Sequence, residues 1–297
     1  MLPVQPVGIF DSGVGGLTVA REITRQLPAE TIVYFGDTAH VPYGSRTVDE
    51  LIYFADTIVG FLIAQGTKAI VDACNTTSAV ALPYLQKKYA IPIVGVITPG
   101  VVAALQATKN GRIGVIATEA TIASDAHRQA LLARQTGVQV YPRACPSFVP
   151  LVEAGEVSGP RAEAAVGEAL APILQAGIDT LILGCTHYPF LAPVIQAVAG
   201  PGVTLIDPAA ATVQELKAVL ARSGGLRGPH GSRAHNFYVS GNPRSFSEVG
   251  IKLVGWPELA GTRKMELDFK EYLDEAGLGY RVAGSLVGSH LGRKGCL

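Results

Sequence analysis

Two cysteines stand where this chain could do chemistry. Cys74 follows the run Ala69-Ile70-Val71-Asp72-Ala73 and precedes Asn75-Thr76-Thr77-Ser78; Cys185 follows Thr180-Leu181-Ile182-Leu183-Gly184 and precedes Thr186-His187-Tyr188-Pro189. Each apolar run has the length and composition of a buried parallel strand. Each thiol therefore falls at a strand's carboxyl end, where open α/β sheets bind ligands. A single buried cysteine is usually a small hydrophobe. Two in matching contexts point to one site with a sulfur on each side of a small substrate. Both precede expected helices, and a helix N-terminus or a nearby cation lowers a thiol pKa from about 8.5 into the range ~3.5–7.5. A thiolate is accordingly expected at one of them. Cys145 and Cys296 lack such a context and read as structural.

Other residues could assist. His187, two positions after Cys185, can tune the thiol's protonation or relay a proton. A Cys-x-His pair could also suggest zinc, but no further ligand pair lies at a familiar zinc spacing. Asp11-Ser12 ends an apolar run and leads into Gly13-Val14-Gly15-Gly16. That run starts as G-x-G-x-x-G but has Thr18 in place of the last glycine, and Asp37 lies where a ribose-binding acid could sit. A nucleotide reading is opposed by Asp11, which would set a negative charge beside a pyrophosphate, and by the lack of a Walker-type Gly-Lys-Ser/Thr. A carboxylate and a hydroxyl at a strand end could instead hold an ammonium group or polarise a proton transfer; helix capping also accounts for Ser12. Tyr43-Gly44-Ser45, Asn75-Thr76 and Thr186 offer hydroxyls, an amide and backbone N–H groups, which suit carboxylates. Turn formation explains Pro42-Tyr43-Gly44 equally well. Glu153 is a loop acid with no local context of its own.

The elements that must position these residues alternate. Strands are expected at Val7 to Phe10, Thr31 to Phe35, Lys68 to Ala73 and Ile91 to Ile97, the last ending at Thr98-Pro99-Gly100. The grammar then restarts at Arg112 to Ala117, Val138 to Pro142, Thr180 to Leu183 and Val203 to Ile206, with a last strand at Asn236 to Val239. Helices are expected between them, including Thr47 to Gln65 with Thr47 and Glu50 forming a capping box, Ser78 to Tyr89, Pro160 to Ala176 and Phe190 to Val198. Alternating units of this kind imply parallel sheets covered on both faces. The strand before Asp11 corresponds to the one before Thr118, the strand before Cys74 to the one before Cys185, and the strand before Thr98-Pro99 to the one before Asp207-Pro208, all at offsets of roughly 110 residues. Two similar halves facing each other would bring the thiols together across a cleft. The expected division is 1–98 with a returning segment 209–256, then 99–208, then a tail 257–297 to which no chemistry is assigned.

Composition sets the bounds. The 297 residues are 48% hydrophobic and 16% charged, with a formal net charge of zero. That implies a large core and argues against disorder. Without a basic stripe, neither nucleic acid nor an anionic membrane is an expected partner. The apolar segment Thr57 to Val71 is broken by Gln65 and Lys68 and is too short to span a bilayer. No signal peptide is visible, and four well-spaced cysteines suit a reducing cytosol.

Four long motifs, Gly8-Ile9-Phe10-Asp11-Ser12-Gly13-Val14-Gly15-Gly16-Leu17-Thr18-Val19, Asp37-Thr38-Ala39-His40-Val41-Pro42-Tyr43-Gly44-Ser45, Ala73-Cys74-Asn75-Thr76-Thr77-Ser78 and Gly184-Cys185-Thr186-His187-Tyr188-Pro189, resemble those of the glutamate racemase family, in the family's order, from about Val7 to Gly255. The resemblance implies two α/β domains, doubly wound parallel sheets related by pseudo-twofold symmetry, with the site between them. It implies a cofactor-independent amino-acid racemase of the cytoplasm, a homodimer, supplying D-glutamate for peptidoglycan. In that reading Cys74 and Cys185 are the acid/base thiols, Asp11 and His187 assist one side each, and Glu153 supports. Ser12, Tyr43, Gly44, Asn75, Thr76, Thr118, Thr121 and Thr186 fall where substrate contacts would be, and no metal is involved. The alternatives are a related two-cysteine racemase or isomerase acting on aspartate, a hydantoin or maleate, a small-molecule-binding protein without catalysis, and a nucleotide-dependent oxidoreductase.

Overall fold

A computed structural model describes residues 2–228 and 234–267. Ten strands are present among them: β1 (Val7–Asp11), β2 (Ile32–Gly36), β3 (Ala69–Asp72), β4 (Ile93–Gly95), β5 (Arg112–Ala117), β6 (Gln139–Ala144), β7 (Thr180–Gly184), β8 (Thr204–Ile206), β9 (Asn236–Val239) and β10 (Arg263–Lys264). They form two all-parallel sheets, one in the order β10-β9-β2-β1-β3-β4 and one in the order β6-β5-β7-β8. The order β2-β1-β3-β4 in the first is repeated by β6-β5-β7-β8 in the second. The internal repeat expected from the sequence is thus a repeat of topology: β1 corresponds to β5, β3 to β7 and β4 to β8.

The burial of each strand follows from its place. β1, β2, β3 and β7 are central, and every residue in them is buried. Their side chains feed two layers at once: Val71 belongs to the core that also holds Val19, Ile23 and Leu216, while Ile70 packs with Ile58, Leu62 and Leu85 on the other face. β6 is an edge strand, largely exposed or half-buried, and it carries Pro142. An edge is where a residue without an N–H donor costs no ladder bond on its open side.

The helix Val48–Ala64 has the expected start, with Thr47 as N-cap: Glu50 N donates to Thr47 Oγ1 at 3.3 Å, and Thr47 N donates back to Glu50 Oε2 at 2.9 Å. Such a cap contributes about 1 kcal/mol. Two boundaries differ from expectation in ways that bear on the site. The helix after Cys74 begins at Asn75 rather than Ser78 and is broken once, into Asn75–Val80 and Leu82–Lys88. Cys74 itself is therefore the N-cap. The fourth strand stops at Gly95, and Thr98-Pro99-Gly100 lie in the first turn of the helix Ile97–Ala107. Pro99 is tolerated there because first-turn N–H groups have no intrahelical partner.

That helix packs against Pro208–Arg222, the helix following the equivalent strand β8. A Cβ on Gly100 would lie 3.0 Å from Pro208 Cγ, so glycine is what allows the two to touch. The stretch read as a patternless tail begins with structure: Pro257–Gly261 forms a 3-10 turn, and β10 adds a sixth strand to the first sheet beside β9. Residues 268–297, and Cys296 with them, lie outside the described residues.

Candidate active site

The two thiols reach one pocket. Its empty volume, open mouth included, is about 590 Å³. Cys74 enters from the end of β3 and Cys185 from the end of β7, each nearly buried, at 5% and 6% exposure. Of the residues expected at the site, Ser12, Tyr43, Gly44, Asn75 and Thr76 line the pocket from the first half, and Thr118, Thr186 and His187 from the second.

Three others stand one side chain behind the wall. Asp11 is fully buried; its Oδ1 accepts the Thr186 hydroxyl at 2.9 Å and its Oδ2 accepts the Gly13 N–H at 3.0 Å. Glu153 Oε1 lies 2.7 Å from His187 Nε2 and 3.3 Å from the Val14 N–H. The Thr121 hydroxyl closes a ring of three with Thr76 and Thr118, at O···O distances of 2.9 to 3.1 Å. That ring joins the halves, since Thr76 belongs to one and Thr118 and Thr121 to the other.

The glycine loop has a mechanical explanation. A Cβ on Gly15 would fall 2.5 Å from both His187 Nδ1 and Thr186 Oγ1, and one on Gly13 would fall against Glu153 Oε1. Glycine here lets the turn after β7 press against the turn after β1, and no phosphate is needed to account for it. Asp37, weighed as a ribose ligand, is fully buried and engaged internally: it accepts from Tyr43 Oη at 2.5 Å and from Ser240 Oγ at 2.6 Å, and its Oδ1 lies 2.8 Å from His40 Nδ1. It holds the Tyr43-Gly44-Ser45 turn against the pocket.

The two thiols have different charged neighbours. Burial raises the Cys74 pKa, and the carboxyls of Asp11 and Asp72 raise it further, against a backbone N–H from Thr77 that lowers it. The expected helix N-terminus effect on Cys74 is outweighed, because this thiol sits out of water among acids. Cys185 has His187 beside it, with Nδ1 3.7 Å from Sγ. Burial works against the imidazolium, but the hydrogen bonds and charges of Cys185 and Glu153 prevail and hold the His187 pKa well above its ordinary value. Glu153 is likewise kept below the usual carboxylate range: burial raises it, and His187 more than offsets this. Burial also raises Asp11, with His187 opposing. One orphan stands out. Neither the amide nitrogen nor the amide oxygen of Asn75 has a hydrogen-bond partner, although both are buried and the residue lines the pocket. Such a group awaits a polar ligand.

Sequence reasoning missed Glu119 and one whole wall. Cys145, Pro146 and Val149 line the pocket beside Cys185. The repeat held the signal: Cys145 N bonds Ala117 O as Asp37 N bonds Asp11 O, so Cys145 occupies the strand end equivalent to Asp37. Two strand spacings separate the ends of β6 and β7, about 9.6 Å, beyond the reach of a disulfide. Burial raises the Cys145 pKa to about 12. Among the described residues no three His, Cys, Asp or Glu side chains converge as a metal ligand set, and no helix is long and apolar enough to cross a membrane.

Residues 7–216 match the sequence model of the Asp/Glu/hydantoin racemase family. The glutamate racemase of Desulforudis audaxviator is 49% identical over 255 residues, covering 84% of this chain and 93% of the relative. Among solved structures, the glutamate racemase of Thermus thermophilus in complex with β-chloro-D-alanine is 41% identical, with a TM-score of 0.81 over 91% of this chain and 100% of that one. That of Francisella tularensis in complex with D-glutamate is 37% identical, with the same TM-score of 0.81 over 90% and 98%.

Proposed function

The chain belongs to the Asp/Glu/hydantoin racemase family, and from that premise we propose that it is a glutamate racemase: a cofactor-independent isomerase that interconverts L- and D-glutamate by two-base proton transfer at the α-carbon. The observation that carries the proposal is that Cys74 and Cys185, from equivalent strand ends of two topologically repeated halves, line one pocket. Racemisation needs a base on one face of a stereocentre and an acid on the other. One sulfur, as thiolate, takes the α-proton; the other, as thiol, delivers its proton to the opposite face. The C–H electron pair becomes a carbanion-like pair and then the new C–H bond. The enzyme ends in the opposite protonation state, ready for the reverse reaction.

The surroundings fit these roles. His187, held cationic by Glu153, stabilises a thiolate at Cys185. Asp11 accepts the Thr186 hydroxyl proton and so holds that side chain in place at the pocket wall. The unpartnered Asn75 amide and the hydroxyls of Ser12, Tyr43, Thr76 and Thr118 supply donors and acceptors for an ammonium and two carboxylates. The α-proton is very weakly acidic, so much of a typical ~8–23 kcal/mol barrier reduction must come from fixed dipoles and excluded water. The near-complete burial of both thiols suits that demand. The resemblance of the four motifs to the glutamate racemase family further implies D-glutamate for peptidoglycan as the product's use, in a cytoplasmic homodimer.

The test is solvent deuterium incorporation at the α-carbon of D- and L-glutamate, with aspartate alongside. The native protein should exchange glutamate and leave aspartate far behind. Cys74→Ala and Cys185→Ala should fold normally and fail to racemise. Two active single variants, or faster exchange of aspartate, would replace this reading.

A further inference from the structure

Asp72 is a completely buried carboxyl that the two-thiol reaction leaves unused. It ends β3 two residues before Cys74. β1 pairs Phe10 with Asp72, and β5 pairs Ile116 with Leu183, so the equivalent position in the second half is Leu183, two before Cys185. His187 in turn has Thr76 as its counterpart. The half with an imidazole beside its thiol has no acid there, and the half with the acid has no imidazole.

Counting protons shows what this carboxyl does. The Thr77 hydroxyl stands 2.6 Å from Asp72 Oδ1 and 3.2 Å from the Cys74 carbonyl oxygen. It has one proton to give and two acceptors to meet. If Asp72 is a carboxylate, it takes that proton and the Cys74 contact lapses. If Asp72 is a neutral acid, its own O–H serves Thr77, and the Thr77 proton is free for Cys74 O. Asp72 Oδ2 has no partner, which costs far more for an anion than for a neutral carboxyl.

The ionisable groups facing Asp72 are Asp11, from β1, and Cys74 itself; from the helix Asn75–Val80 come only Thr77 and Ser78, and opposite it on β4 is Gly95. No cation stands among them; the hydroxyls of Thr77 and Ser78 and the Cys74 backbone N–H are the donors that offset a negative charge there. Burial pushes its pKa to about 8, and Asp11 adds to the rise against hydrogen bonds from Thr77 and Ser78.

Resting on the assignment of Cys74 as an acid/base group, we infer that Asp72 is a positioning residue for it: as an uncharged hydrogen-bond donor it fixes the Cys74 turn through Thr77, and on ionising it releases that turn and disfavours the Cys74 thiolate. The device is one-sided, because Cys185 answers to His187. A racemase with an equilibrium constant of one must keep kcat/KM equal in both directions at every pH. The one-sidedness therefore shows in the two kcat values and in the thiols themselves.

The experiment is alkylation of each thiol by iodoacetamide from pH 6.5 to 10, read by peptide mass spectrometry, on the native protein, Asp72→Asn and Thr77→Val. Asparagine keeps a donor toward Thr77 and cannot ionise. Cys74 in Asp72→Asn should react about tenfold faster than native at pH 9 and Cys185 at an unchanged rate, the effect expected of removing one nearby like charge. The alkaline decline of kcat should soften in the same variant. Thr77→Val should shift the Cys74 curve below pH 8, where the charge is unchanged but the relay is cut. Superimposable native and Asp72→Asn curves, or equal shifts at both thiols, overturn the inference; a native-like Thr77→Val curve overturns the relay. Alkylation does not depend on turnover. If Cys74→Ala still racemised, the acid/base assignment would fall while these curves still judged Asp72.

Discussion

Glu153→Gln isolates one charge in the site. The substitution keeps the side chain's length and a hydrogen-bonding end but removes the negative charge 2.7 Å from His187 Nε2. His187 is 1% exposed and the Glu153 side chain 26%, so solvent screens the pair only partly. At an effective dielectric of about 20, unit charges ~4 Å apart attract by roughly 4 kcal/mol, and a neutral hydrogen bond returns about 1 kcal/mol. A net loss of about 2–3 kcal/mol lowers the His187 pKa toward its ordinary value. The sign gives a signature. The native His187 pKa is raised, so its cation persists through neutral pH; in the variant the cation fades as pH rises, and Cys185 loses the partner that stabilises its thiolate. We expect kcat/KM for glutamate to fall about 30-fold or more at pH 8 and much less at pH 6. The assay is circular dichroism of racemisation from both enantiomers between pH 6 and 9, with the imidazole titration followed by NMR. Stability linked to the pair is present between the unfolded Glu and His pKa values, about 4.3 and 6.5, and is lost as pH rises through the native His187 value or falls through the native Glu153 value, so the variant's deficit in melting temperature should be larger near pH 6 than at pH 9. A rate loss independent of pH, or an unmoved imidazole titration, would refute the electrostatic account and leave Glu153 a packing residue.

Gly15→Ala forces a Cβ to within 2.5 Å of His187 Nδ1 and Thr186 Oγ1; displacing those groups by a fraction of an ångström should cost kcat about 100-fold, measurable beside a calorimetric scan that shows a loss of about 1–3 kcal/mol. Asn75→Ala should raise KM for glutamate more than tenfold while the melting temperature holds or rises, because the unliganded protein buries both ends of that amide without a partner. Lys68→Met removes the buried cation 2.5 Å from Glu30 Oε2 and its bonds to the Pro3 and Gly225 carbonyls; leaving the buried Glu30 carboxylate with the Arg227 backbone N–H but without its ion-pair partner should lower stability by about 3 kcal/mol in urea titrations, with kcat nearly native, since this pair lies at the opposite strand ends from the pocket.

How much of this was legible in the chain varies by element. The capping box at Thr47 and Glu50 and the strand β9 were readable to the residue, because a cap and an apolar run act over four or five positions. β4 was read two residues too long at each end: at its carboxyl end Val96 and Ile97 are apolar in either state, and only packing of the following helix on Pro208 decides that they leave the sheet. β10 was unreadable because a two-residue edge strand has no period of its own and exists through its pairing with β9.

The site divides along the same line. Local sequence determined which residues could be chemical: thiols, an imidazole, carboxyls and hydroxyls, each next to an apolar strand that had to end there. It also carried the repeat, since equal offsets between strand ends survive without any knowledge of three dimensions. Only the tertiary structure decided distances between elements far apart in sequence. It set Asp11, Glu153 and Thr121 behind the pocket wall rather than in it, brought Cys145 and Val149 to the lining, and buried Cys74 among acids so that its pKa moves up, not down. Solvation and charge depend on everything within several ångströms, and for these residues part of that neighbourhood lies tens to more than a hundred positions away along the chain.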